Sequence, residues 1–187
     1  TELGLLRSLA GETTVYTTRD GLASDVVSVL YEDSAGMLWA GNGRTTEGGL
    51  SAWDGASWRT LSVEDGLAHP MVNAILEDRE GALWFGTGFA ARGGASRLAG
   101  GSWTTLTQAD GLAGMKVRSL FQDRDGALWV GSEYDGVARF DGESWQVFTT
   151  KEGLSGLEAK CMLQTPNGDL WLGTENGITR LLAGTLD

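Results

Sequence analysis

The tetrapeptide Leu38-Trp39-Ala40-Gly41 returns as Leu83-Trp84-Phe85-Gly86, Leu128-Trp129-Val130-Gly131 and Leu170-Trp171-Leu172-Gly173, at steps of 45, 45 and 42 residues. A second marker keeps step with it: Asp20-Gly21-Leu22, Asp65-Gly66-Leu67, Asp110-Gly111-Leu112 and the variant Glu152-Gly153-Leu154. A third, Trp58, Trp103 and Trp145, stands eight residues before the glycine of the next second marker. Three markers in register define a tandem repeat, and self-similarity at such a period implies stacked supersecondary units.

Inside one repeat the apolar residues fall in short runs bounded by Gly and Asp, with no 3.6-residue period long enough for a helix. The first repeat predicts strand a over 26–32, strand b over 38–41, strand c over 50–53 and strand d over 58–61. The a–b turn is Asp33-Ser34-Ala35-Gly36, repeated over 78–81 and 123–126 and replaced by Thr165-Pro166-Asn167-Gly168 in the last repeat. An Asp opening such a turn accepts backbone N–H groups, and a Gly closing it takes a positive φ. Asp54-Gly55 and Asp141-Gly142 are hairpin signals for c–d turns. Four-stranded units of this length with an aromatic on strand b are the signature of propeller blades. The expected fold is all-β, a β-propeller of four-stranded antiparallel blades. Each blade is apolar on both faces, so Trp39, Trp84, Trp129 and Trp171, together with Trp58, Trp103 and Trp145, are expected to be structural. A fully buried large aromatic contributes about 3 kcal/mol or more to such a joint.

Composition agrees, since 29 glycines against two prolines in 187 residues mean many tight turns and hence many short strands. A net charge of −11 repels phosphate backbones and anionic headgroups, and no Lys/Arg cluster interrupts that field. Nucleic acid and membrane surfaces are therefore not expected partners. No run approaches a spanning length, so no membrane insertion is expected in this segment, and residues 1–11 lack the pattern of a signal peptide. The lone cysteine, Cys161, excludes an internal disulfide and is expected to be a small buried hydrophobe.

The succession DGL, strand a, D-x-x-G, LWxGT, G-L-x-R, D-G and W resembles the two-component regulator propeller repeat, closely so at Trp84-Phe85-Gly86-Thr87 and Trp171-Leu172-Gly173-Thr174. The resemblance runs the length of the chain. It implies seven-bladed propellers, often in pairs, in the extracytoplasmic sensor part of bacterial hybrid histidine kinases, where they perceive ligands such as oligosaccharide fragments. A periplasmic or extracellular location is implied with it. The asparagine pair that often follows DGL in that family is replaced here by Ser24-Asp25, His69-Pro70, Gly114-Met115 and Gly156-Leu157, so no ligand-contact pattern carries over.

Thr1-Glu2-Leu3-Gly4-Leu5-Leu6-Arg7 matches Thr174-Glu175-Asn176-Gly177-Ile178-Thr179-Arg180, so strand c is expected at both ends. The expected division is strands c and d of a preceding blade (1–18), three blades (19–63, 64–108 and 109–150) and a partial fourth (151–187). A closed four-bladed ring, with strand d over 15–18 completing the last blade, leaves the extra strand c without a place. An open arc of a larger ring is expected instead, or a homo-oligomer in which a second copy completes the ring, because bare blade faces and strand edges invite aggregation.

In this topology the DGL loops and the b–c loops share one face. From the LWxG glycine to the next strand-c glycine takes eight residues in the first two repeats, but five and four in the others. Two adjacent blades should thus raise longer loops, offering Arg44, Phe89 and Arg92. Asp25, His69, Lys116 and Glu158 at the entry to strand a, with Glu133 and Tyr134 in the third b–c loop, complete the candidate ligand-binding set. Arginine forks grip carboxylates and aromatics stack on sugar faces, so a small polar or anionic molecule or an oligosaccharide suits this set. Ordinary solvated loops carry the same residue types.

Catalytic patterns are missing. His69 is the only histidine, so a histidine metal site or a Ser/His/Asp triad would depend on it alone. Gly41-Asn42-Gly43 and Gly86-Thr87-Gly88 lack the third glycine and the helix of a dinucleotide site. Asp123-Arg124-Asp125-Gly126 lacks the ligand ladder of a calcium loop. No catalytic residue, metal or cofactor is expected. The leading reading is a non-catalytic ligand-sensing or recognition module; the alternatives are a streptogramin-lyase-like propeller enzyme and a protein–protein interaction scaffold.

Overall fold

The computed structural model describes residues 3–42 and 47–184. Its strands are β1 (Leu5–Leu9), β2 (Glu12–Tyr16), β3 (Val29–Glu32), β4 (Leu38–Gly41), β5 (Leu50–Trp53), β6 (Trp58–Leu61), β7 (Val72–Glu77), β8 (Leu83–Phe89), β9 (Arg92–Ala99), β10 (Ser102–Leu106), β11 (Val117–Gln122), β12 (Leu128–Ser132), β13 (Val137–Phe140), β14 (Trp145–Phe148), β15 (Ala159–Gln164), β16 (Leu170–Thr174) and β17 (Gly177–Leu181). They form three four-stranded antiparallel sheets, β3–β6, β7–β10 and β11–β14, a three-stranded sheet β15–β17 and a two-stranded sheet β1–β2. The first strands of successive sheets, β3, β7, β11 and β15, lie side by side, so the sheets radiate as blades of a propeller.

The three sequence markers turn out to be parts of one joint. The acidic residue of DGL accepts hydrogen bonds from the backbone N–H and hydroxyl of a Ser or Thr three residues earlier, as Asp65 does from Ser62 and Asp110 from Thr107. This reciprocal cap tightens the loop into single 3-10 turns at Thr18–Asp20 and Gln108–Asp110. The glycine then takes a positive φ, +126° at Gly66, and lies against the strand-d tryptophan: a Cβ there would stand 2.4 Å from Trp103 Cβ. The leucine that follows is buried in the joint between blades, Leu67 against Leu50 and Leu61 of the blade before it.

The strand-b tryptophan is fixed by two polar contacts. Its indole N–H donates to the Asp of its own a–b turn, Trp39 to Asp33 at 2.8 Å, Trp84 to Asp78 at 2.7 Å and Trp129 to Asp123 at 2.8 Å. The strand-c arginine lies over the ring, Arg97 on Trp84, Arg139 on Trp129 and Arg180 on Trp171. The rings of Trp39, Trp84 and Trp129 then pack on the next blade, as Trp39 does on Phe85 with centroids 5.4 Å apart. The LWxG glycine lets the blades close: a Cβ on Gly86 would meet Val117 of the next blade at 2.6 Å. Backbone N–H groups of the a–b turns clasp neighbouring blades, Ser34 to Glu77, Arg79 to Gln122 and Arg124 to Gln164.

Two sequence boundaries shift. β2 spans Glu12–Tyr16 instead of 15–18, because Thr17 caps the 3-10 turn. In the first blade strand a begins at Val29 instead of 26, the N–H of Val26 being taken by the Ser24 hydroxyl.

The closed four-bladed ring is not what forms. β1 occupies the place beside β2, and no ladder joins that pair to β17 among the described residues. The pair instead packs on the first blade, Tyr16 lying 5.2 Å from Trp53 and 5.8 Å from Trp58. The arc is open, and the fourth blade shows it: Leu163 and Ile178 are exposed. Cys161 is also exposed, against expectation. It sits in one row with Gly173 and Ile178, on the face that an adjoining blade covers at the equivalent positions of the other repeats. Among the described residues, no helix is long and apolar enough to cross a membrane.

Candidate functional site

The b–c segment of the second repeat is longer strand, where a loop was expected. β8 and β9 stay paired out to Phe89 opposite Arg92, closing on Ala90 and Ala91. Ala90 takes φ +52°, a left-handed conformation that an alanine adopts only under constraint. The tip leans over the next blade. Gly88 and Gly93 make this approach possible, since a Cβ on either would stand 2.7 Å from the carbonyl oxygen of Met115. Asn73 ties the two blades there, donating to the carbonyls of Gly88 and Val117.

Beneath this tip Lys116 is only 9% exposed. Its Nζ lies 5.6 Å from the Phe89 ring centroid and 5.8 Å from that of Tyr134. Those two residues hold equivalent places in adjacent repeats, and both remain exposed, at 50% and 55%. The ammonium pairs with Glu133 Oε2 at 2.5 Å. From there a chain of alternating charge crosses to the fourth blade: Arg118 to Glu133 at 3.4 Å, Arg118 to Glu158 at 3.4 Å and Lys160 to Glu158 at 3.3 Å. Glu175 accepts the backbone N–H groups of Leu157 and Glu158, fixing the entry to β15.

Burial pushes the Glu133 carboxyl up, but the hydrogen bonds from Lys116 and Tyr134 and the charges of Lys116 and Arg118 outweigh it, so it titrates below the usual carboxylate range. Tyr134, hydrogen-bonded to Glu133, is raised above an ordinary phenol. His69 Nδ1 accepts the N–H of Met71 at 3.0 Å, leaving Nε2 to carry the proton. Burial, and then the charge of Arg92, lower the pKa of His69.

Of the residues singled out from sequence, Phe89, Lys116, Glu133, Tyr134 and Glu158 come together, with His69 and Arg92 close enough to interact at the edge of the same face. Asp25 does not join them: its carboxylate accepts the backbone N–H of Thr18 and so braces the first DGL loop. Arg44 lies outside the described residues. Arg118, Lys160, Asn73 and Glu175 were not anticipated. Period-two alternation does not find the first two, because Arg118 and Lys160 sit at β-bulges, where the register shifts between Val117 and Ser119 and between Ala159 and Cys161.

Three clefts of about 330, 310 and 280 Å³ occur at one recurring place, each lined by a strand-c arginine (Arg7, Arg97 or Arg139) and the a–b turn glycine of the next blade. Their recurrence marks them as a product of blade stacking. No group of three or more potential metal ligands occurs among the described residues.

Radial four-stranded blades built on one recurring sequence unit define a repeat propeller. The two component regulator propeller model matches residues 21–44, 66–89, 111–134 and 153–176, just over half of the sequence, and the chain belongs to that family. No curated protein matches it. Among solved structures, the extracellular domain assigned to a hybrid two component system of B. thetaiotaomicron superposes with a TM-score of 0.78 at 18% identity, over 95% of this chain and 25% of that one. A second such domain from the same organism gives 0.72 at 20% identity, over 93% and 25%. The virginiamycin B lyase of Staphylococcus aureus gives 0.60 at 19% identity, over 95% and 61%. The chain thus spans about a quarter of the length of the two sensor domains.

Proposed function

We propose that this arc is the ligand-recognising part of an extracytoplasmic sensor propeller, and that it binds a small polar or anionic ligand, such as an oligosaccharide, on the DGL face. One observation carries the reading: Phe89 and Tyr134, exposed and from adjacent blades, both lie within 6 Å of the ammonium of a nearly buried lysine that Glu133 holds in place. Large apolar rings left half-exposed beside fixed charges are what a sugar or carboxylate needs, faces for stacking and rigid donors for orientation. The similarity to extracellular sensor domains supports the location. The long β8–β9 hairpin supports the choice of face, since strain at Ala90 is tolerated there to set Phe89 over its neighbour.

The test is a thermal-shift and calorimetric screen of neutral and acidic oligosaccharides against the chain. The double variant Phe89→Ala/Tyr134→Ala and the single variant Lys116→Met should each weaken any ligand found by at least about tenfold. A ligand whose affinity ignores both variants would remove this face from consideration.

A further inference from the structure

The a–b turns use one carboxylate in two ways. In the second and third repeats Asp78 and Asp123 open the turn and accept the indole N–H of Trp84 and Trp129, and Ala82 and Ala127 precede the Leu-Trp pair. In the fourth repeat Thr165 opens the turn and Asp169 takes the place of the alanine. There it accepts Nε of Arg180 at 2.8 Å, and Nη2 of the same guanidinium, while the Trp171 indole goes without a partner. Arg97, Arg139 and Arg180 hold one place, each opposite its own strand-b tryptophan. Only Arg180 receives a carboxylate from its turn. Arg139 Nε is buried without a partner. Among the described residues Arg97 donates no hydrogen bond; it has the Trp84 ring beneath it and, at 3.8 Å, the exposed Glu80.

Arg97 opens on the cleft of about 310 Å³ between the second and third blades, both of them complete four-stranded sheets. The cleft lies among the a–b and c–d turns, at Gly126 and Gly142, on the end of the blades away from the DGL loops. Leu106, Leu128 and Phe140 form its apolar wall, with Phe140 steadied by Trp145 at a centroid distance of 4.9 Å. Thr104 stands opposite Arg97 on the neighbouring strand and adds a hydroxyl. We propose that this cleft binds a small monocarboxylate with an apolar body, its carboxylate on Arg97 as that of Asp169 lies on Arg180, and its body against the wall. A guanidinium presents a planar fork of donors that matches the two oxygens of a carboxylate, and stacking on an indole fixes that fork in advance. The carboxylates already present leave the place open. Asp78 is engaged by the N–H groups of Glu80 and Ala82 and by the Trp84 indole, and Glu80 stands on the solvated rim. Small-molecule sites start at about 300 Å³, so the cleft sets an upper limit on the size of the body. No residue of the DGL face lines it, and the two proposals therefore stand or fall separately.

The probe is hydrocinnamate, titrated into the isotope-labelled whole chain and followed by NMR, with hydrocinnamide as its uncharged companion. The Nε–H signal of Arg97 and the amides of Gly126 and Gly142 should shift saturably at millimolar probe, and the Nε–H of Arg180 should not. The amide should bind at least about tenfold more weakly than the acid, and Arg97→Met should weaken the acid to the same degree. Glu80→Gln should tighten it by removing the competing charge. The pair Asp78→Thr/Ala82→Asp copies the fourth repeat and should silence the cleft by giving Arg97 a carboxylate of its own. Arg97→Met and the rim variant Glu80→Gln keep the test readable should that pair disturb folding. Equal affinity for acid and amide, shifts at Arg180 or confined to the DGL face, no saturation, or indifference to Arg97→Met would each overturn the proposal.

Discussion

The indole N–H of Trp129 donates to the Asp123 carboxylate across 2.8 Å, joining a fully buried ring to the turn six residues before it. The other oxygen of the same carboxylate accepts the N–H groups of Asp125 and Ala127, so one side chain both shapes the a–b turn and satisfies the ring. In the fourth repeat Thr165 stands in this place, and Trp171 Nε1 is buried without a partner. Asp123→Ala should therefore destabilise the chain by about 1–3 kcal/mol, the cost of stranding a buried donor. Denaturant unfolding followed by tryptophan fluorescence reads it, and a midpoint unchanged from the parent would refute the role given to this carboxylate.

The LWxG glycines offer a paired comparison. A Cβ at Gly131 would meet Ser119 Oγ, which is itself hydrogen-bonded to the Ala159 carbonyl, at 2.2 Å, and both the Cβ and the carbonyl oxygen of Ala159 in the next blade at 2.9 Å. At Gly173 the only contact closer than 3.9 Å is with Cys161 Sγ of the same blade. Gly131→Ala should cost about 1–3 kcal/mol through overpacking of the joint, and Gly173→Ala distinctly less. Equal losses would mean that blade approach is not what these glycines serve.

His69 is the only histidine, so its ring signals can be followed by NMR without assignment ambiguity. Its midpoint should fall below the ordinary 6.5. Arg92→Ala should raise it without restoring it, burial being the larger cause. The sign follows from linkage: a histidine held neutral contributes stability that is present above the unfolded pKa and is lost as pH falls from there through the lower folded value.

Glu133 titrates lower in the folded chain than unfolded, so its contribution is present above the ordinary 4.5 and is lost as pH falls through the folded value. Thermal melts of the parent should thus drop more steeply than those of Glu133→Gln on acidification below that point. Parallel curves would show that the Lys116–Glu133 pair contributes no pH-dependent stability.

Much of this molecule was legible as text because its determinants are local. Period-two runs, Asp-to-Gly turns and the DGL caps act over three to six residues, which is why β4, β5 and β6 begin and end where the sequence placed them. The set on the DGL face was legible only in part. Phe89, Lys116 and Tyr134 could be assigned to one face from loop order, but their mutual approach depends on how far one blade leans on the next. Nothing within a repeat encodes that distance.

The sequence by itself determined the repeat, the blade and the turn chemistry, because backbone propensity and alternation fix each of these within a few residues. Only the tertiary structure decided that b–c of the second repeat is a rigid hairpin, that Asp25 is a brace, and that Cys161 and Ile178 face outward. Those outcomes depend on which side chains, from segments about forty residues apart, meet across a blade joint, and no single repeat encodes that.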